Sequence, residues 1–129
     1  YQFFQFWLNS EDADVARLCD RAQGPHGMVA AVCVWPRFAA FARARLPAHI
    51  AVAAVANFPD GSADLARAVR DTAAIVDSGA QEVDVVLPFA ALMAGDASTA
   101  SRLLQAVQLI KQNPQSNMSN QWLAQQVGL

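Results

Sequence analysis

The sequence predicts an α/β protein in which strands and helices alternate around a parallel sheet. Short apolar runs at residues 28–34, 50–56 and 82–87 are bounded by turn-forming residues, as in strands that are buried on both faces. Longer segments with helical spacing of apolar residues lie between them, so right-handed helical crossovers are expected to join the strands. This alternation by itself fits a closed barrel and an open doubly wound sheet equally well.

An aromatic run that begins with Tyr1 and ends with Leu8 is the predicted first strand, because aromatic residues favour strands. A helix capped by Asn9 or Ser10 follows and ends by residues 24–25. The remaining predicted elements are a strand at 28–34, a helix from Pro36 to near Pro47, a strand at 50–56, a helix at 63–78 capped by Asp60 or Ser62, a strand at 82–87, a short helical turn closed by residues 92–95, and a helix at 98–111.

The composition changes after Val107. Alanine is frequent before this point but occurs only once after it, as Ala124, while glutamine becomes frequent. We therefore predict a junction between residues 1–107 and a tail at 108–129, in which Ser119 caps a short helix that carries Trp122. The end of the tail faintly resembles the first helix of a bacterial helix-turn-helix regulator. No recognition helix follows it, so an amphipathic helix that covers apolar surface is the favoured interpretation.

Asp84 is the candidate functional residue that the pattern marks most clearly. It lies inside the apolar run 83–87, where a carboxylate is costly to desolvate unless it is paired, hydrogen-bonded or protonated. A purely structural role, in which backbone groups or an arginine satisfy the carboxylate, remains open from the residues alone.

Three strand ends together resemble the deoxyribose-phosphate aldolases. The matching strings are residues 31–38, 54–61 and 82–88, and the resemblance extends from about Leu8 to Val107. It implies four βα units, which would be half of a (β/α)8 barrel. The predicted C-terminal helix of the tail would be an addition to this half-barrel. The resemblance also implies that Asp84 corresponds to a proton-relay carboxylate beside a Schiff-base lysine, and that Cys33 and Asn57 line the substrate pocket.

The chain departs from this family where the chemistry requires specific groups. The first strand carries Phe4, Phe6 and Trp7 in place of the polar residues that are typical of the family. Lys111 is the only lysine, and it lies in or after the fourth helix, whereas the family's lysines come from later strands. We therefore interpret the chain as a truncated or recombined half-barrel, with an engineered origin left open, and expect it to be inactive alone.

The charge balance and the cysteine and histidine contexts exclude several other classes. Nine basic and eleven acidic residues give a net charge of −2, which does not favour binding to nucleic acid. We expect a solvated helix face to carry Arg37, Arg43 and Arg45. Two cysteines without a disulfide pattern favour the cytoplasm. No metal-ligand spacing, cofactor motif, membrane span or signal peptide is recognised, so no metal, cofactor or membrane partner is expected.

Self-association is the expected partner interaction. A half-barrel leaves strand edges and an apolar face bare, so we expect a homo-oligomer formed through the strand from Tyr1 to Leu8 and through the Trp122 helix. Two alternatives remain. In the first alternative, the chain is half of a lyase and cleaves 2-deoxyribose 5-phosphate only with a complementary half. In the second, it is an interaction module that binds another protein.

Overall fold

Strands and helices alternate along residues 11–112, which are the residues that a computed structural model of the chain describes. The elements in chain order are α1 (Asp12–Arg21), β1 (Ala31–Val34), α2 (Pro36–Arg45), β2 (Ala51–Ala56), α3 (Leu65–Asp77), β3 (Glu82–Val85), α4 (Phe89–Met93) and α5 (Ala97–Gln112). The predicted first strand and the predicted Trp122 helix lie outside the described residues.

The three described strands form one parallel sheet in the order β1-β2-β3. Val32 pairs with Val52 and Ala54 pairs with Val83, so the strands are aligned with their carboxyl ends at one edge of the sheet. Each strand is joined to the next by a helix, as short apolar strands buried between layers require. The predicted parallel α/β class is therefore confirmed.

The two faces of the sheet differ in what covers them. Alternate residues such as Val32 and Val52 point towards the helices and pack with Val15, Leu18 and Ile75 in the main core. The opposite face carries a smaller cluster, whose members are Cys33, Ala53 and Val55 with the rings of Trp35 and Phe58. We call this opposite face, on which Asp84 also lies, the site face.

Helix α5 forms an outer layer with α3, on the helical side of the sheet. Leu103 and Val107 of α5 pack with Leu65, Ala68 and Val85, which joins this layer to β3. The helix runs without interruption through Val107 to Gln112. The boundary proposed at Val107 thus falls within a helix, and the division into 1–107 and 108–129 stays a prediction.

The predicted caps of α1 and α3 were wrong. Helix α1 is capped at Glu11, whose backbone N–H donates to the Asp14 carboxylate at 2.8 Å, rather than at Asn9 or Ser10. Helix α3 is capped by Asp64, whose Oδ1 accepts from the N–H of Ala66 at 3.1 Å. Asp64 lies directly before the first helical residue. From this position its short carboxylate side chain reaches the free backbone N–H groups of the first turn.

The first described strand is shorter than predicted, because residues 24–27 form a turn and the Val29 N–H then donates back to the Ala22 carbonyl at 3.1 Å. The Gly27 N–H donates to the Gly24 carbonyl at 3.2 Å, and Gly27 has a φ of 119° that other residues rarely adopt. Strand β1 therefore begins at Ala31 and not at residue 28. Strand β3 likewise ends at Val85, before the loop that precedes Pro88.

Arg43 was predicted to lie on a solvated face, and this was wrong. Its guanidinium donates to the carbonyls of Leu46, Pro47 and Ile50 at 3.0, 2.7 and 3.0 Å and to Oε1 of Gln81 at 2.8 Å. These partners precede β2 and β3, so Arg43 ties α2 to the amino ends of both strands. A planar guanidinium can satisfy several carbonyls at once, which explains its use here.

Candidate functional site

Two of the predicted site residues, Cys33 and Asp84, meet on the site face. Cys33 is level with Ala53 in the sheet, and Asp84 is level with Val55, which lies two residues further along β2. The Cys33 thiol lies 3.8 Å from Oδ2 of Asp84, to which it donates a hydrogen bond. The methyl side chain of Ala53 leaves room for this contact, which crosses β2 between two strands that are not neighbours.

The Cys33 thiol is held in its neutral form. Its pKa is raised from 9.0 to about 12, mainly by burial and in addition by the negative charge of Asp84 and the hydrogen bond to Asp84. A thiol is nucleophilic as the thiolate, so Cys33 is a hydrogen-bond donor here and a poor nucleophile at neutral pH. Its contact with Asp84 keeps one oxygen of that carboxylate oriented towards β1.

Asp84 is exposed, and the expectation of a strand buried on both faces was wrong for β3. Its neighbours Val83 and Val85 are only partly buried, because β3 is the edge of the described sheet. Water can therefore solvate this carboxylate, and the expected desolvation penalty does not apply. Asp84 lies on an open face, where a small molecule or another polypeptide can approach it.

Asn57 is completely buried at the carboxyl end of β2, and it connects two loops. Its Nδ2 donates to the Ser62 carbonyl at 2.8 Å and to the Val86 carbonyl at 3.0 Å, and its backbone N–H donates to Oδ2 of Asp71 at 2.9 Å. Its φ of 57° is left-handed, which asparagine tolerates better than most residues. Its Oδ1 is buried and has no partner within residues 11–112.

The loop after β2 is held against α3 and against the loop after β3. Arg67 of α3 donates to Oδ1 of Asp60 at 2.6 Å and also to the Phe58 carbonyl. Gly61, with a φ of 61°, lies so close to the next loop that a Cβ there would be 2.3 Å from the Leu87 carbonyl oxygen. This βα loop is therefore fixed by side chains on both of its sides, as binding loops on rigid scaffolds often are.

Aromatic rings cover the carboxyl ends of β1 and β2. The rings of Trp35 and Phe58 meet edge to face, with centroids 5.1 Å apart. The Arg37 guanidinium carbon lies 5.8 Å from the Trp35 ring centroid and 4.6 Å from that of Phe38, although Arg37 is exposed, as predicted. These rings shield the Cys33 side of the site from solvent while the Asp84 side remains open.

Lys111 lies far from Asp84 in the fold. It is an exposed residue in the last turn of α5, and α5 packs with α3 on the helical side of the sheet. Asp84 points from β3 towards the opposite face, where it meets Cys33. The sheet therefore separates the only amine side chain of the sequence from the candidate site.

Sequence reasoning missed Arg67, Asp71 and Gly61, which position the site loop. Arg67 and Asp71 are four residues apart in α3, so they lie on one helix face. This spacing was the sequence feature that could have indicated their shared role beside the loop. The close approach of Gly61 to Leu87 depends on the packing of two loops, and one sequence does not reveal it.

Residues 11–112 contain no group of three or more histidine, cysteine or acidic side chains that could hold a metal ion. Within the same residues, no helix is both long and apolar enough to cross a membrane.

Comparison with known proteins identifies the family. Residues 3–114 match the model of the DeoC/LacD family of aldolases. A deoxyribose-phosphate aldolase of Agrobacterium fabrum is 44% identical over 95 residues, which cover 72% of this chain and 37% of that protein. The chain thus spans well under half the length of this curated relative.

Solved structures agree on the fold. A protein from Coccidioides immitis assigned as a deoxyribose-phosphate aldolase superposes with a TM-score of 0.73 at 24% identity, over 85% of this chain and 43% of that one. An aldolase called QR15 superposes with a TM-score of 0.72 at 17% identity, over 98% of this chain and 61% of that one. The partial coverage fits the predicted half of a (β/α)8 barrel. By sequence and by fold, this chain belongs to the DeoC/LacD family of aldolases.

Proposed function

We propose that this chain supplies the Asp84 side of an aldolase site and is inactive in retro-aldol cleavage when it is alone. Asp84 is the proton relay in this proposal, and Cys33 and Asn57 shape the pocket beside it. The reaction class comes from the family, and 2-deoxyribose 5-phosphate is the proposed substrate because the relative from Agrobacterium fabrum is a deoxyribose-phosphate aldolase.

The observation that carries this proposal is the separation of Lys111 from Asp84. Schiff-base catalysis requires an amine that is positioned at the reacting carbonyl with a lowered pKa. Lys111 is exposed on the helical side of the sheet, and Asp84 lies on the site face. A proton relay without a covalent partner contributes only a general acid–base effect, about 10²–10⁴-fold at best.

The contacts of Asp84 support a proton-transfer role. One oxygen accepts from the neutral Cys33 thiol, and the carboxylate is exposed on an open face. Within residues 11–112, this arrangement orients the carboxylate without neutralising it by an ion pair. Asn57 acts indirectly, because its amide holds the loops after β2 and β3 together beside the site.

Consumption of 2-deoxyribose 5-phosphate by the isolated chain is the test. We expect a rate equal to that of an Asp84→Asn variant and of a buffer control. A substrate-saturable rate that falls in Asp84→Asn would overturn the proposed inactivity, since it would require a complete site within this chain.

A second candidate function is a lyase half that becomes active when a complementary half supplies the lysines. The edge position of β3 and the open face around Asp84 favour it, because a further strand can pair at this edge. Adding a polypeptide that comprises the remainder of the Agrobacterium fabrum barrel should then restore cleavage. Restoration should be lost with Asp84→Asn in this chain.

We also propose that the chain self-associates. Phe89 and Met93 of α4 are 50% and 87% exposed, and Leu87 and Leu92 beside them are also exposed. An apolar patch next to an open strand edge is typical of an interaction surface. The run from Tyr1 to Leu8 is proposed as a further contact. Both this run and the Trp122 helix, for which the sequence also predicts a role in association, lie outside the described residues, and a different position is proposed below for that helix.

A protein-interaction module is the third candidate, and the same α4 patch is the feature that favours it. A pull-down that returned only this chain would speak against a different partner. A recombined or engineered origin of the tail is proposed from its composition, which changes after Val107.

A further inference from the structure

The outer face of α5 carries an apolar groove that the site does not use. The groove has a volume of about 490 Å³ and is lined by Ser101, Leu104, Gln105, Gln108, Leu109 and Gln112. Leu104 is 45% exposed, whereas Leu103 next to it is buried against α3. Helix α5 therefore has one apolar face in the core and a second, smaller one that points outward.

The rim of the groove is uncharged. Its polar members are glutamine and serine side chains, and neither Arg102 nor Lys111 lines it. Such a surface offers hydrogen bonds and a central apolar contact but no electrostatic attraction for an ionic ligand. It fits a neutral amphipathic segment better than a charged peptide or a phosphate.

Residues 113–129 have this chemistry and begin at the end of the groove. They contain no Asp, Glu, Lys or Arg, and Gln112, the residue before them, lines the groove. Leu123 and Val127 have the i, i+4 spacing of one helix face, with Trp122 adjacent. The family-model match ends at residue 114, so most of this segment lies beyond the residues that match that model.

The lengths also agree. A helix over residues 119–127 would be about 13 Å long, and the α5 face from Ser101 to Gln112 extends over about 16 Å. Residues 113–118 would then form the connection, which is within the two to eight residues, roughly, that join antiparallel helices. Pro114 and the asparagines around it favour a turn at this point.

We propose that residues 119–127 form a helix that docks antiparallel to α5 of the same chain, with Leu123 near Leu109 and Val127 over Leu104. The occupant is the chain's own tail because the short connection gives it a high effective concentration at this groove. This placement differs from a tail that covers the open site face or is exchanged with a second copy. It leaves the β3 edge and the α4 patch free for association.

Hydrogen exchange of the tail amides in the full chain tests this proposal. We expect residues 119–127 to exchange at least about tenfold more slowly than in a synthetic peptide of residues 113–129. Leu104→Lys places a charge in the groove and should return their exchange to within about twofold of the peptide. Met93→Lys is the matched control, since it makes the same change at an exposed residue of α4, and it should keep the protection.

Three results would overturn the proposal. Wild-type exchange equal to that of the peptide would mean that the tail does not dock. Loss of protection in Met93→Lys, with or without a loss in Leu104→Lys, would place the tail at α4. Protection that disappears on dilution would mean docking on a second copy. The amides of β2, measured in the same samples, report whether each variant remains folded.

Discussion

The Cys33 thiol donates to Oδ2 of Asp84 over 3.8 Å, although β2 lies between the strands that carry them. The contact is possible because Ala53, level with Cys33 on β2, has a side chain that is too small to block it. The residues that resemble the aldolase pocket therefore interact directly in this fold. Their interaction leads to a measurable pH dependence.

Stability should fall in alkaline solution because of Cys33. The folded protein keeps the thiol proton up to a pKa of about 12, whereas the unfolded chain loses it near 9.0, so the unfolded state binds fewer protons between these values. The free energy of unfolding should then decrease by at most about 1.4 kcal/mol per pH unit in this window. Below pH 9 the contribution of Cys33 should be constant.

Urea denaturation of wild type and Cys33→Ala at about pH 8 and about pH 10 measures this effect. Cys33→Ala should lose less stability between the two pH values than wild type. Asp84→Asn should behave in the same direction, because it removes the charge and hydrogen bond that raise the Cys33 pKa. A pH dependence unchanged in Cys33→Ala would contradict the assignment.

Gly61→Ala should destabilise the protein strongly. Its Cβ would lie 2.3 Å from the Leu87 carbonyl oxygen and 2.8 Å from the Phe89 ring, so the two site loops would have to move apart. Gly95→Ala is the control, since Gly95 also has a positive φ, of 91°, but a Cβ there meets nothing within 4 Å. We expect losses of about 1 kcal/mol for Gly95→Ala and roughly 3 kcal/mol for Gly61→Ala in urea denaturation. Equal losses would show that the loops do not pack closely.

Asn57 combines two roles that different substitutions separate. Asn57→Gly keeps the left-handed backbone but leaves the carbonyls of Ser62 and Val86 without their donor, and we expect it to cost about 2 kcal/mol. Asn57→Ala should cost about 1 kcal/mol more, because alanine also resists a φ of 57°. Thermal or urea unfolding of both variants measures the difference. If Asn57→Gly were as stable as wild type, the side-chain amide would not hold the loops.

The sequence predicted the parallel α/β class because the period of the apolar runs changes between strands and helices, and local residues set this period. It also predicted Asp84, Cys33 and Asn57 as site residues, and their roles stay predictions. It did not predict that Asp84 is exposed, because burial depends on which strands lie beside β3. The role of Arg43 was missed for a similar reason, since its carbonyl partners at Leu46, Pro47 and Ile50 come together only in the folded chain.

Self-association should depend on two apolar surfaces. Replacing Phe89 and Met93 together by Ser and Thr should shift the protein towards monomer, because two exposed apolar side chains are removed next to the β3 edge. Replacing Phe6 and Trp7 together by Thr and Ser should shift it towards monomer or unfolded chain. Light scattering reports the mass of each species. A wild-type chain that is monomeric at micromolar concentration would contradict this prediction.

The central claim is that this chain cannot form the Schiff base of its family on its only lysine, and borohydride trapping tests it most directly. The folded chain is treated with 2-deoxyribose 5-phosphate and sodium borohydride, and labelling of Lys111 is quantified by mass spectrometry. A sample in urea measures the reactivity of an unprotected lysine. We predict that Lys111 in the folded chain is labelled no more than in urea and equally in Asp84→Asn, because the sheet separates it from Asp84. A stoichiometric adduct on Lys111 that forms only in the folded chain and requires Asp84 would contradict the account.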